Sequence, residues 1–139
     1  MAGLRSILRF FLLYSHRSKV HTAITPLSEI ESAVVLRTPG EYSLDRVIID
    51  FFKDRNINLR LISKEDDNLR TNEDLFISLM AEPDIDELYA AVSSTAKFKI
   101  GIHKLRRDVY NVIVTVTSDG DARQVAIFNT IADILTKIR

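Results

Sequence analysis

The chain has 139 residues, 46% of them apolar, with 19 basic and 19 acidic side chains and no cysteine. That length and apolar share suit one domain able to bury most of the surface its unfolded chain exposes. Without cysteine, disulfides, thiolate catalysis and cysteine-ligated zinc are excluded. With three prolines and four glycines, no linker or low-complexity run breaks the chain, and no repeat at solenoid spacing is visible.

The charge is balanced in total but not along the chain. Residues 1–21 carry Arg5, Arg9, Arg17 and Lys19 and no acid, so every acidic residue falls in the remainder, which is mildly acidic. In this leader Leu4, Ile7, Leu8, Phe11 and Leu12 recur at helical spacing, and Phe10, Leu13 and Tyr14 widen the stripe. The spacing predicts a basic amphipathic helix. Its apolar run from Phe10 to Tyr14 falls far short of the roughly 20 residues a bilayer requires, and Arg9 interrupts any signal-peptide core. The expected location is therefore cytoplasmic. Arg5, Arg9, Phe10, Phe11 and Arg17 are the candidates for contact with a protein partner, with a second copy of the chain, or with the anionic inner face of a membrane. The same helix could equally pack on the rest of the domain.

From residue 31 to 139 the pattern is that of a single α/β domain. Ala33-Val34-Val35-Leu36 is a continuous apolar run closed by Thr38-Pro39-Gly40, which reads as a fully buried strand and a turn. Ser43 is placed to cap a helix with Leu44, Val47, Ile48, Phe51 and Phe52 on one face. Asp45 stands near its positive end, Lys53 and Arg55 near its negative end, and Asn56 is a stop. Ile57 to Ile62 alternates, as a half-exposed edge strand should, and Lys64 to Glu73 is almost wholly polar.

The most informative stretch is 74–101. Leu75 to Met80 reads as a third buried strand, Asp84 as the cap of a helix carrying Ile85, Leu88, Tyr89 and Val92, and Phe98, Ile100 and Ile102 as a fourth strand. Too few residues separate His103 from a Tyr110 to Val116 strand for a parallel crossover, so that fifth strand is expected to run antiparallel. Ser118 or Asp119 opens a last helix, with Val125, Phe128, Ile131, Ala132, Leu135 and Ile138 repeating at three and four. The expected architecture is a three-layer, Rossmann-like domain with a mostly parallel five-stranded sheet.

Asp-Leu-Phe-Ile-Ser-Leu at 74–79, Ser-Thr-Ala-Lys-Phe-Lys-Ile-Gly at 94–101 and the strand and helix that follow resemble a family of short bacterial proteins known only as a domain of unknown function. That resemblance covers most of the chain, is specific over about 74–116, and carries no activity across. The same segment is more distantly similar in topology to the N-terminal half of heptosyltransferase-like glycosyltransferases. Those enzymes use two α/β halves and an early Gly-Asp turn, where this chain has Arg37-Thr38-Pro39-Gly40-Glu41.

Open α/β sheets bind ligands at the carboxyl ends of their strands, where the strand order reverses. Here that crevice is expected between the first and third strands. It would be lined by Thr38, Gly40, Glu41, Tyr42 and Ser43 from one loop and Glu82 and Asp84 from the other, with Glu41 or Glu82 as acid or base. Neither G-x-G-x-x-G nor a P-loop occurs, and Gly40 after Pro39 is explained by the turn itself. His103, Lys104, Arg106 and Arg107 could clamp an anion, or they could be a solvated hairpin loop. His103 alone could serve as a general base, but sequence spacing fixes no serine or carboxylate near it.

No metal ligand set stands at a recognisable spacing. His16 and His21 lack a third partner, Glu65-Asp66-Asp67 lacks the glycine of a calcium loop, and Asp119-Gly120-Asp121 reads as a turn and cap. No cofactor is implied. A nucleic-acid role is disfavoured by the acidic body and the lack of basic and aromatic interleaving on a strand face. Two readings remain: a non-enzymatic scaffold or interaction module with a docking leader, and a small nucleotide-binding or transferase-like domain.

Overall fold

The computed structural model describes residues 24–80, 84–103, 105, 109–114 and 123–138. The leader, Glu82, Lys104, Arg106, Arg107 and the proposed helix start at Ser118 or Asp119 lie outside the described residues.

A single 3-10 turn, Leu27–Glu29, precedes β1 (Ser32–Leu36), α1 (Tyr42–Lys53), β2 (Asn58–Ile62), β3 (Leu75–Ser78), α2 (Ile85–Ser93), β4 (Phe98–Gly101), β5 (Val112–Ile113) and α3 (Gln124–Lys137). The five strands form one sheet in the order β2-β1-β3-β4-β5. All four pairings are parallel. This is one of the two common doubly wound orders, and it reverses between β1 and β3, where the sequence placed the reversal.

Strand alternation sorts the core into two layers. Ala33, Val35, Leu75, Ile77, Phe98 and Ile100 face α1 and α3, which meet through Leu44, Ile48 and Phe52 on one helix and Phe128, Ile131 and Leu135 on the other. Phe51 and Phe128 pack edge to face with ring centroids 5.7 Å apart. The opposite residues of the strands, among them Val34, Leu36 and Phe76, face α2 through Leu88, Ala91 and Val92. β2 is the edge strand its alternation announced, with an exposed Asn58 and Arg60.

The helix termini follow from named residues. Asp84 caps α2 by accepting from the Glu87 backbone N–H at 2.9 Å. α1 ends where Asn56 takes the left-handed conformation, φ 58°. There the Asn56 and Ile57 N–H groups return to the carbonyls of Lys53 and Phe52 at 3.1 and 3.0 Å, a Schellman closure. The start of α1 differs from the sequence expectation: the N-cap is Glu41, it makes no side-chain cap bond, and Ser43 is the second residue of the helix.

β5 also differs. It pairs parallel to β4, with Ile100 opposite Val112 and Gly101 opposite Ile113. The strand begins two residues later than its apolar pattern suggested, because Tyr110 is used inside the connection rather than in the sheet. Residues 102–111 are just enough for a short crossover. The basic stretch from His103 is accordingly part of a parallel crossover and not a hairpin loop. Among the described residues no helix is long and apolar enough to cross a membrane.

Candidate functional site

At the end of β1, Arg37 leaves the strand with its guanidinium forked onto Asp45, Nε to Oδ1 at 2.9 Å and Nη2 to Oδ2 at 3.1 Å. Its Nη1 also donates to the Ile62 carbonyl at 3.2 Å. One side chain therefore ties the ends of β1 and β2 to the first turn of α1. Thr38 is fixed from the other side, its N–H donating to Gln124 Oε1 of α3 at 2.9 Å. Beyond this tie, Pro39 to Ser43 are exposed, Gly40 has φ 109°, and Tyr42 is 80% exposed. Thr38 and Glu41 stand in the loop at the sheet's reversal and Ser43 in the first turn of α1, while His103 stands apart at the end of β4.

In the connection after β3, Asp84 bonds Lys64 Nζ through Oδ2 at 3.1 Å while its other oxygen caps α2. The hydrogen bond to Asp84, then its charge, raises the Lys64 pKa above its usual value. Asp84 is therefore committed to holding the helix start and the loop after β2.

A buried polar cluster lies on the α2 face, between the carboxyl ends of β3 and β4. Glu87, in the first turn of α2, is 1% exposed. Its Oε2 accepts from the Tyr110 hydroxyl at 2.6 Å, and its Oε1 lies 2.9 Å from His103 Nε2. Burial, then the charge and hydrogen bond of Glu87, holds the Tyr110 phenol well above its ordinary pKa, and a bond from buried Ser78 works the other way. The phenol stays neutral and donates.

Lys99 lies on the same face of β4, one strand repeat before Gly101. It is 2% exposed and donates from Nζ to the Ala91 carbonyl at 2.8 Å. No carboxylate among the described residues pairs with it, and burial pushes its pKa down to about 8.

Glu87, Tyr110, Ser78 and Lys99 were not singled out by the sequence. Glu87 is a charged residue on an amphipathic helix, which usually means solvent, and Tyr110 reads as a strand residue. The one available signal was strand parity: Ser78 and Lys99 are polar at positions facing a covered side of the sheet. Asp74, prominent in the sequence, is structural and stands at the opposite edge. It accepts from the Glu31 N–H at 2.9 Å and donates its own N–H to Ser32 Oγ at 3.0 Å, and its carbonyl accepts from Lys97 at 3.1 Å. An open depression of about 500 Å³, lined by Ile49, Lys53, Asn56, Ile57, Asn58 and Leu59, also lies toward that amino edge.

Among the described residues no cluster of three or more histidine or carboxylate side chains could hold a metal ion. No protein-family model, curated protein or solved structure matches the chain.

Proposed function

We propose that the chain is a non-enzymatic α/β interaction module, acting in the cytoplasm, in which the folded domain is a scaffold and the basic amphipathic leader docks on a protein partner, on a second copy, or on an anionic membrane surface. The observation that carries this reading is the state of the sheet's reversal point. There the Arg37 guanidinium is committed to Asp45 and the Thr38 N–H to Gln124, so neither of these donors is left over for a ligand, as a crevice at this point would need. The leader supplies what such a scaffold lacks, an apolar stripe flanked by Arg5, Arg9 and Arg17.

Deleting residues 1–21 tests it. Association, followed by sedimentation velocity and by co-sedimentation with anionic vesicles, should disappear while the circular dichroism of the remaining domain is unchanged. Association that survives the deletion would move the docking surface to the domain itself.

A second reading, a small domain binding nucleotides or phosphorylated sugars at the carboxyl edge, is favoured by one observation: His103 is a partly exposed imidazole backed by a buried carboxylate. The likeness to transferase halves points the same way. A thermal-shift panel of sugar nucleotides, nucleotides and sugar phosphates decides it, since a ligand at 100 times its Kd stabilises the native state by about 2.7 kcal/mol.

A further inference from the structure

The two nitrogens of His103 are in different situations. Nε2 faces Glu87 Oε1 at 2.9 Å. The second carboxylate oxygen is already taken by Tyr110, at 2.6 Å. An ionised carboxylate has only lone pairs to offer, so Nε2 carries the ring proton, and the lone pair of the neutral imidazole is at Nδ1.

Nδ1 has no hydrogen-bond partner among the described residues. Among the described residues the side-chain polar atom that is both sealed and unpartnered is Thr71 Oγ1, so Nδ1 is not sealed, on a side chain that is 19% exposed. The side chains grade from interior to surface, from 1% exposure at Glu87 to 19% at His103. The arrangement stands at the carboxyl ends of β3 and β4, beside the first turn of α2.

We propose that His103 is an acid–base residue, with Nδ1 the working nitrogen, for a ligand that presents a hydroxyl group at this edge. Glu87 is its positioning residue, and Tyr110 fixes Glu87. The inference rests on the ligand-binding reading of the carboxyl edge. In the step, the ligand O–H bond breaks, an N–H bond forms at Nδ1, and the electron pair stays on the ligand oxygen. The imidazolium so formed keeps Nε2–H on Glu87, whose negative charge balances it. Such a residue requires the same two features seen here, a fixed tautomer and one accessible nitrogen.

The test uses the full chain, p-nitrophenyl acetate as the electrophile and water as the hydroxyl donor. Ester hydrolysis by the wild type should run several-fold faster than by His103→Gln, in which His16 and His21 still contribute. Ring-nitrogen NMR should find the neutral His103 ring with Nδ1 bare. In Glu87→Gln the amide offers a donor as well as an acceptor, so the Nδ1–H form should grow and hydrolysis fall toward the His103→Gln rate, a change of tautomer that a purely structural role would not cause.

A protonated Nδ1 in the neutral wild-type ring, or equal hydrolysis by wild type and His103→Gln, overturns the proposal. Both measurements stand even if Glu87→Gln fails to fold. A ligand shift from a chain whose hydrolysis is unchanged in His103→Gln would overturn the proposal while leaving the ligand-binding reading intact. No shift across the ligand panel would remove that reading and, with it, the ligand step proposed here, whatever the reactivity of His103.

Discussion

The ring of Tyr110 lies directly on Gly101, so that a methyl group at Gly101 would overlap the ring's Cδ2, Cε2 and Cζ atoms. This contact explains how the chain passes from β4 to a parallel β5 in ten residues. The bare backbone at Gly101 lets the Tyr110 ring lie against the strand, and the hydroxyl reaches Glu87. Asn111 then pairs with both backbone groups of Lys99, its N–H donating to the Lys99 carbonyl and its Oδ1 accepting from the Lys99 N–H, each at 2.8 Å.

Gly101→Ala should therefore destabilise the domain by about 1 to 3 kcal/mol, the usual cost of overpacking a filled site. The measurement is urea unfolding. If the clash is with the ring, Tyr110→Leu should cost less in the Gly101→Ala background than in the wild type, and strict additivity of the two changes would refute the contact as its cause.

Lys99 makes a prediction of opposite sign. Burial lowers its pKa from 10.5 to about 8, a desolvation cost on the order of 3 kcal/mol. Lys99→Met keeps the aliphatic stem and removes the charge, so it should raise stability at pH 7. A denaturation midpoint at or below that of the wild type would mean that the bond to the Ala91 carbonyl offsets the burial.

The same two residues shape the alkaline limb of stability. Below pH 8 the cost of Lys99 is present in full. Between about 8 and 10.5 the unfolded chain holds this proton more tightly than the native state, so stability rises with pH. Tyr110 acts in reverse. Its native pKa lies well above 10.0, so stability is intact below 10 and falls above it, as the unfolded phenol ionises first. Unfolding measured from pH 7 to 11 should show a rise to about 10 and then a decline. Lys99→Met should remove the rise and leave the decline.

Asp84→Ala should cost about 1 kcal/mol, the ordinary worth of an N-cap. The partly exposed Lys64 pair adds little to this. Lys64→Ala, by contrast, should change stability by less than the cap does. Thermal melts of the two variants check the order, and a larger loss for Lys64→Ala would make the ion pair the dominant contact.

Asn56 can be tested in both directions. At φ 58° glycine is at home and alanine is strained, so Asn56→Gly should be nearly neutral or stabilising, while Asn56→Ala should cost about 1 kcal/mol. Equal melting temperatures for the two would remove the left-handed closure of α1 as a determinant.

Local chemistry determined much of this protein from sequence alone. Apolar runs and their period placed β1, β3 and β4 and the faces of α1, α2 and α3. Asp84 and Asn56 marked helix ends, and the alternation in β2 put it at an edge. Each of these is settled by a residue's own backbone preference or by burial within one element, which neighbours in sequence suffice to specify.

What only the tertiary structure decided was the use of groups that are polar in sequence and buried in space. The direction of β5 turned on whether Tyr110 belongs to a strand or lies on Gly101, a contact between residues nine apart. Glu87 became the centre of the polar cluster because Tyr110 and His103 come to it from the connection after β4. A charged side chain can be buried only where partners from other elements satisfy it, and that condition is met in three dimensions and written nowhere in the order of the residues.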